Sequence, residues 1–353
     1  MTVTTPRVVG LPDELPPELI AAEPVEATGR RRDDVRLLVA ERSSDLLVHT
    51  TFRHLPEHLQ AGDLLVVNTS GTLPAALPAD GDRLLHLSTG LPGGLWVVEV
   101  RRRCGLGSLQ FRSAQAGEVI VLPDGGRAEL LTPYPADARH ADGVRLWTAR
   151  LTLPEPVTAY LHRVGRPIRY GCAETAWPLA AYQTVFSLEP GSAEMPSAAR
   201  GFTAELVTAL VSRGVGLSPV TLHTGVSSQE AGEPPYAEWF RVPEGTAERV
   251  NAAHAGGHRV IAVGTTVTRA LETTVDGRGA VHPAEGWTDR VVTPSTGVRA
   301  IDGLLTGWHE PAATHLDLLE AVAGRRTVER SYAAAVTAGY RWHEFGDLHL
   351  VLP

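Results

Sequence analysis

Two runs of consecutive apolar residues, at positions 64–67 and 260–263, constrain the fold of this 353-residue chain more than any other sequence feature. Because these apolar residues do not alternate with polar ones, a strand in either place must be buried on both faces. From residue 157 onward, such runs alternate with segments of helical spacing, one of which Thr203 caps and Gly214 ends. Further helices are predicted near 246–255, 265–271, 313–323 and 327–337, and further strands at 219–223 and 348–352. This alternation predicts an α/β domain with a mainly parallel sheet.

The pattern changes between residues 72 and 153. Short apolar runs are separated there by turn residues, at positions 84–87, 95–100, 119–122, 128–131 and 144–151. Pro123 begins a Pro-Asp-Gly-Gly turn, which favours a hairpin, and no helical spacing is visible. The length of the chain favours two domains. We therefore predict an inserted all-β, barrel-like domain at 72–153 within a discontinuous α/β catalytic domain at 1–71 and 154–353.

The basic residues are unusual in kind, because all 32 are arginine and the chain contains no lysine. Lysine Schiff-base chemistry, covalently held pyridoxal phosphate and a Walker A phosphate loop are thereby excluded. With 40 acidic residues the net charge is −8, which excludes a global basic field for nucleic acid but not a local arginine patch. The run of Arg101, Arg102 and Arg103 is the candidate for such a patch.

The sequence shows no sign of membrane insertion, secretion or metal binding. No apolar run approaches the roughly 18 residues that span a bilayer, and the N-terminus lacks a secretory signal, so we expect a cytoplasmic protein without a membrane partner. His254 and His258 have the spacing of helical metal ligands, but Ala-Gly-Gly separates them and no acidic companion is placed nearby, so we predict no metal. Cys104 and Cys172 are too few for a disulfide framework or a zinc cage and are interpreted as buried, inert thiols.

Polar residues follow three of the predicted strands. Asn68 and Thr69 follow the first, His223 the second, and Thr265 and Thr266 the third. Ligands of α/β proteins bind at the carboxyl ends of the strands, so we expect these ends to form one crevice.

Several of these residues also have a plain structural interpretation. The turn at Gly264 opens a helix whose N–H groups favour a carboxylate or ribose oxygen, but it is equally compatible with an ordinary helix cap. Arg269 and Glu272, three residues apart, are compatible with a surface ion pair. His223 is either a proton carrier or a partly buried structural histidine. The residues alone therefore predict an α/β enzyme with a strand-end crevice and no particular reaction.

Ordered sequence blocks between about Leu15 and Leu350 carry a resemblance to a known family. They include LPPELIA at 15–21, GDLLVVN at 62–68, YQTVFS at 182–187, VTLH at 220–223, VIAVGTT at 260–266, and YR with GD at 340–347. The chain resembles the S-adenosylmethionine:tRNA ribosyltransferase-isomerase family of queuosine biosynthesis. The resemblance implies an α/β catalytic domain with an inserted β-barrel. It also implies transfer of the ribosyl part of S-adenosylmethionine to 7-aminomethyl-7-deazaguanine in a tRNA anticodon, with isomerisation to an epoxycyclopentanediol and loss of adenine and methionine.

The resemblance implies roles for individual residues. It also implies that S-adenosylmethionine is a co-substrate and that the protein has no prosthetic group. Glu238 is the acid that remains from a His-x-Glu motif of the family, whose histidine is Tyr236 here. The catalytic candidates are Glu238, His223 and His309. The substrate-binding candidates are Asn68, Thr69, Gly225, Thr265, Thr266, Arg269 and Glu272, and the RNA-binding candidates are Arg101, Arg102 and Arg103.

This sequence also departs from the family in its predicted pocket. The histidine of the family's central motif is Gly201, and the block after His223 lacks a Gly-Thr-Phe. Two alternatives to the tRNA-modifying enzyme therefore stay open. One is a divergent paralogue that uses S-adenosylmethionine or a related nucleoside on a small deazapurine-like acceptor. The other is a catalytically inactive protein that binds a nucleoside or RNA.

Overall fold

The computed structural model describes residues 15–136, 143–226, 235–311 and 313–353. Its strands are β1 (Arg36–Glu41), β2 (Leu46–Thr51), β3 (Leu64–Asn68), β4 (Ser70–Thr72), β5 (Ala76–Pro78), β6 (Arg83–Gly90), β7 (Leu95–Cys104), β8 (Gly107–Gln110), β9 (Val119–Val121), β10 (Arg127–Pro133), β11 (Leu146–Thr152), β12 (Glu189–Ser192), β13 (Gly216–Leu222), β14 (Glu238–Val242), β15 (Val260–Val263), β16 (Ala284–Thr288), β17 (Gly303–Gly307) and β18 (Leu348–Leu352). Its α-helices are α1 (Val157–Val164), α2 (Ala204–Ser212), α3 (Glu244–Ala255), α4 (Thr265–Thr274), α5 (His315–Ala323) and α6 (Arg325–Thr337). No helix in these ranges is long and apolar enough to cross a membrane.

The largest sheet in the described part of the chain has nine strands, in the order β16-β14-β13-β3-β15-β17-β18-β1-β2. Every residue of β3 and of β15 is buried, which confirms the two-sided burial predicted for both runs. Leu65 and Val67 pack into the core on the α2 side, whereas Leu64 and Val66 pack into the core that contains α3 to α6. Successive side chains of a strand point to opposite faces, so a continuous apolar run serves both cores.

The prediction of a mainly parallel sheet is only half right. Among the described strands, β13–β3, β3–β15, β15–β17 and β18–β1 pair in parallel. The pairs β1–β2, β13–β14, β14–β16 and β17–β18 are antiparallel. Strands β17 and β18 are antiparallel because two successive helices, α5 and α6, join them. A single helix would bring the chain back to the edge of the sheet where β17 starts, and the next strand would then be parallel to β17. The second helix takes the chain to the opposite edge, so β18 runs antiparallel to β17.

A second sheet contains β5 to β11, in the order β5-β6-β7-β11-β10-β9 with β8 paired to β7. Each of its pairings is antiparallel, and its side chains form a separate hydrophobic core. The backbone N–H of Asp80 donates to the carbonyl oxygen of Val121 at 3.0 Å, which links the β5 and β9 sides of the sheet. The strands fall where the sequence predicted a β region. The barrel-like closure and the boundaries at 1–71, 72–153 and 154–353 stay predictions.

The interpretation of Cys104 and Cys172 as buried, inert thiols is wrong. The two cysteines form a disulfide, and Cys172 is exposed while Cys104 is partly exposed. The bond joins the end of β7 to the segment after α1, over a sequence separation of 68 residues. Sequence spacing could not show this pairing, because the hydrogen bond from Leu106 N–H to the Ala173 carbonyl that brings the two segments together is a tertiary contact.

Helix α2 begins as predicted, because the Thr203 side chain accepts a hydrogen bond from the Leu206 N–H at 3.1 Å. We expect Thr203→Ala to lower the free energy of unfolding by about 1 kcal/mol, since the variant leaves a helix N–H without its cap. Thr208→Ala is the matched control, because Thr208 is an exposed residue inside the same helix and alanine is the better helix former. Urea denaturation of both variants checks the prediction. An equal loss in the two variants would contradict it.

Candidate active site

A cleft of about 890 Å3 lies between the large sheet and the second sheet. The carboxyl ends of β13, β15 and β17 open into it, and these strands are parallel to one another through β3. The cleft-lining residues at or just after the ends of these strands include Thr224, Gly225, Gly264, Thr265, Thr266, Thr306, Trp308 and His309. Its opposite wall includes Ser88, Thr89, Val97 and Leu146 of the second sheet. The predicted convergence of strand ends is therefore present.

Glu238, the first residue of β14, forms an ion pair with Arg269 of α4 in the wall of the cleft. Both side chains are largely buried, with 13% and 8% of their surfaces exposed. The second carboxylate oxygen of Glu238 accepts a hydrogen bond of 2.9 Å from the Gly225 N–H. The guanidinium of Arg269 also donates to the carbonyl oxygens of Tyr236 and Arg290. Glu238 is thus a fixed, buried carboxylate rather than a surface residue of a loop.

Gly225 allows the two walls of the cleft to approach each other. A Cβ atom at this position would lie 2.6 Å from the Ser88 Oγ atom of β6, so a larger residue would displace the Ser88 hydroxyl or the loop. The neighbouring Val226 N–H donates to the same Ser88 Oγ atom at 3.0 Å. The loop after β13 is therefore fastened to the second sheet at the point where it holds Glu238.

Asn68 lies beneath the cleft and connects the strand ends. Its amide group donates to the Leu222 carbonyl oxygen at 2.9 Å and to the Thr266 hydroxyl at 3.3 Å. Its amide oxygen accepts from the N–H groups of Ser70 and Leu222, both at 3.0 Å. Thr69 likewise donates to the Val220 carbonyl oxygen. Neither Asn68 nor Thr69 lines the cleft, so the structure gives them a supporting position.

His223 also lies outside the cleft lining. Its Nδ1 atom is 2.7 Å from the Ser70 hydroxyl, and its ring stacks on Trp239 with centroids 5.2 Å apart. Burial, together with the positive charge of Arg241, lowers the pKa of His223 below its ordinary value although Glu189 opposes this. A neutral, stacked and hydrogen-bonded ring corresponds to the structural alternative considered for this histidine.

His309 lines the cleft and stacks on His315, with ring centroids 4.6 Å apart and nearly parallel planes. Its Nε2 atom is 2.9 Å from the Thr306 hydroxyl. Burial and the nearby histidines hold the pKa of His309 well below its ordinary value. Burial, with a smaller effect of Arg269, lowers the pKa of His315 to about 4. Both rings are therefore neutral at pH 7, and a proton on either ring would be held only weakly.

The interpretation of Arg269 and Glu272 as a surface ion pair is wrong. Both residues are buried, and Glu272 accepts hydrogen bonds of 2.8 Å from the N–H groups of Arg299 and Ala300. Burial raises the pKa of Glu272, although these two hydrogen bonds oppose the shift. Glu272 does not line the cleft and anchors the segment that leads into β17.

The arginine run does not form one outward face. Arg101 is 2% exposed, and its guanidinium bonds the Glu99 carboxylate at 2.7 Å and Ser108. The prediction is wrong for Arg101 because its guanidinium is enclosed within the second sheet by Glu99 of β7 and Ser108 of β8. Arg102 and Arg103 are exposed, so they stay candidates for contact with a polyanion.

Sequence reasoning missed several acidic residues of the cleft, among them Glu194 and Glu344. The Tyr170 hydroxyl donates to Glu194, and Tyr170 lines the cleft as well. Both acids stand beside sequence blocks shared with the family, which is the signal that could have identified them. Within the described ranges no group of three or more histidine, cysteine, aspartate or glutamate residues is placed to hold a metal ion.

The buried Glu238–Arg269 pair generates a prediction about stability. We expect Arg269→Met to lower the free energy of unfolding by about 3–5 kcal/mol, because it leaves the Glu238 carboxylate buried without its partner charge. The double variant Arg269→Met with Glu238→Gln should recover part of that loss, since no unpaired charge remains. Chemical denaturation of the single and double variants measures both values. Equal losses in the two variants would show that the charge of Glu238 does not matter to folding.

Comparison with known proteins identifies the family. The family model described as "Queuosine biosynthesis protein" matches residues 13–351. Two relatives named S-adenosylmethionine:tRNA ribosyltransferase-isomerase, from Symbiobacterium thermophilum and Thermus thermophilus, are 36% and 37% identical over 96% of this chain and 98% and 97% of theirs. A crystal structure of S-adenosylmethionine tRNA ribosyltransferase from Thermotoga maritima is similar with a TM-score of 0.52 and 30% identity, covering 96% of this chain and 98% of that one. The chain therefore belongs to the queuosine biosynthesis protein family.

Proposed function

We propose that the protein is an S-adenosylmethionine:tRNA ribosyltransferase-isomerase that binds its substrates in the cleft between the two sheets. It transfers the ribosyl part of S-adenosylmethionine to a deazaguanine base of tRNA and releases adenine and methionine. The observation that carries this proposal is the coincidence of full-length family membership with a cleft of about 890 Å3 at the strand ends. A space of this size suits a nucleoside ligand together with an acceptor base.

The carboxyl ends of β15 and β17 are the part of the cleft best suited to the nucleoside. Thr265 and Thr266 begin α4 there, and N–H groups at a helix start attract ribose or carboxylate oxygens. His309 lies beside them and offers a neutral aromatic ring stacked on His315. Asn68 supports this position through the Thr266 hydroxyl, so its proposed role is to hold the binding residues rather than the ligand.

Glu238 is the proposed acid–base residue. A positively charged sulfonium makes the adjacent C5′ protons of S-adenosylmethionine more acidic, so one placed carboxylate can accept a proton from that carbon as ring opening begins. Each Glu238 oxygen has a second lone pair beyond the one used by Gly225 or Arg269. The same carboxylate is also suited to hold a ribose hydroxyl. His309 is proposed to contact the adenine as it departs, through its neutral ring rather than by donating a proton.

The second sheet is the proposed contact for tRNA, and the division at 72–153 is the proposed domain boundary. Arg102 and Arg103 lie at the end of β7 with their side chains exposed. Arg102 is 3.7 Å from Asp82, an exposed pair that a phosphate can displace at small cost. The cytoplasmic location of the protein stays a prediction that agrees with a tRNA substrate.

Loss of the Glu238 carboxylate tests the catalytic proposal. We expect Glu238→Gln to lower the rate of adenine and methionine release by about a hundredfold or more, since the amide keeps the shape but cannot act as a base. Binding of S-adenosylmethionine should be largely kept. Glu285→Gln on the neighbouring strand β16 is the control, because Glu285 is exposed and lies outside the cleft. Mass spectrometry of the products measures the rates. Unchanged release in Glu238→Gln would exclude this residue as the base.

The salt dependence of tRNA binding tests the proposed surface. Each phosphate contact adds close to one unit to the slope of log affinity against log salt concentration, so Arg102→Gln with Arg103→Gln should reduce the slope by roughly two. Arg326→Gln is the control, since Arg326 is 79% exposed on α6, outside the second sheet. Filter binding at several salt concentrations measures the slopes. An affinity that does not depend on salt would favour the small-molecule acceptor instead.

A further inference from the structure

Glu344 is a cleft residue for which neither the sequence patterns nor the proposed reaction gives a role. It lies between the buried side chains of Trp342 and Phe345, in the segment that leads into β18. Its carboxylate lines the cleft and is only partly exposed to solvent. It forms no hydrogen bond or ion pair with any residue in the described ranges, in contrast to Glu238, whose two oxygens both have partners.

The charged neighbours of Glu344 do not neutralise it. Glu194, which also lines the cleft, is near enough to repel its charge, and Arg169 and Arg200 are near enough to attract it. The Arg200 guanidinium is already held by the Glu26 carboxylate at 2.9 Å and by the Ala181 carbonyl oxygen at 3.0 Å.

The two cations near Glu344 differ in what they bind. The Arg200 guanidinium also lies over the Phe345 ring at 4.9 Å from its centroid, whereas the buried Nη1 atom of Arg169 has no hydrogen-bond partner among the described residues. The site therefore contains two carboxyl groups, two tyrosine hydroxyls and an aromatic ring. Arg200 is bound to Glu26, and Arg169 lines the cleft but forms no ion pair with Glu344 among the described residues.

The protonation of Glu344 follows from this environment. Burial, and then the negative charge of Glu194, raise the pKa of Glu344 to about 8, although Arg169 and Arg200 oppose the shift. At neutral pH this carboxyl group is thus mostly protonated in the unliganded protein. A positive charge brought into the cleft would favour the ionised form, because an opposite charge nearby stabilises the carboxylate.

We propose that Glu344, supported by Glu194, is a specificity-determining residue that binds the positively charged group of the substrate in the cleft. This inference rests on the proposed function, in which the cleft receives two ligands that carry such groups. One source is the sulfonium of S-adenosylmethionine, and the other is the alkylammonium group of a 7-aminomethyl-7-deazaguanine acceptor. Tyr170 and Tyr182 add electron-rich rings, which attract organic cations.

The test is calorimetric binding to the full chain with two pairs of ligands. S-adenosylmethionine and S-adenosylhomocysteine differ in the sulfonium charge, whereas 7-aminomethyl- and 7-cyano-7-deazaguanine differ in the ammonium group. In the wild type we expect the cationic member of one pair to bind more tightly. In Glu344→Gln that preference should fall by about tenfold to a hundredfold, because the amide loses the charge that attracts the sulfonium or the charged hydrogen bond to the ammonium.

A second readout is the proton released on binding. Titrations in two buffers with different ionisation enthalpies should show roughly one proton released per ligand at pH 7 in the wild type, because the bound cation ionises Glu344. Glu344→Gln should release almost none. A residue that only shapes the cleft would not change proton release. Glu310→Gln is the matched control, since Glu310 lines the same cleft with 63% of its side chain exposed.

The outcomes separate the inference from the proposed function. A lower S-adenosylmethionine preference identifies the sulfonium as the bound cation, and a lower aminomethyl preference identifies the acceptor ammonium. Unchanged preferences and proton release in a Glu344→Gln protein with an unchanged melting temperature would overturn the inference. An equal effect of Glu310→Gln would overturn it as well. A wild type that binds these ligands but releases no adenine with tRNA would contradict the proposed function, while the binding ratios would still decide the role of Glu344.

Discussion

The buried amide of Asn68 is the interaction on which the geometry of the cleft depends. It donates to Leu222 at the end of β13 and to Thr266 at the start of α4, and it accepts from Ser70 and Leu222. Leaving this fully buried amide without its hydrogen bonds would cost several kcal/mol. The hydrogen bonds therefore hold together the end of β13, the start of α4 and the residues that follow β3. Three parallel strands thus present their ends at fixed positions, and the residues that follow them line one wall of the cleft.

The second sheet completes the cleft because a few polar contacts join it to the first. The Ser88 hydroxyl accepts a hydrogen bond from Val226, and the absence of a side chain at Gly225 lets the two walls meet. The same loop holds Glu238, whose carboxylate is fixed by Gly225 and Arg269. Positioning of the proposed base and closure of the cleft are therefore properties of one loop, and Glu238 lines the cleft although its side chain is largely buried.

Electrostatics divide the cleft into two regions. Around β15 and β17, buried histidines are neutral at pH 7, because desolvation disfavours their charged form. Around Glu194 and Glu344 the cleft is lined by two carboxyl groups and by Arg169, and burial raises the pKa of Glu344 to about 8. A neutral aromatic region suits a nucleoside, whereas an acidic region suits a cation. This division arises because the fold brings together residues that lie more than a hundred positions apart in the chain, such as Glu194 and Glu344.

The sequence by itself determined the two central strands, most of the helices and the convergence of strand ends, because these follow from local patterns. The apolar runs at 64–67 and 260–263 specify strands buried on two faces, and Thr203 specifies the start of α2. Only the tertiary structure decided the direction of β18, the pairing of Cys104 with Cys172 and the burial of Arg101. It also decided that Arg269 pairs with Glu238 rather than with Glu272. The physical reason is the same in each case: a local pattern fixes which face of an element is apolar, but the partner of a charge or a thiol depends on how distant elements pack.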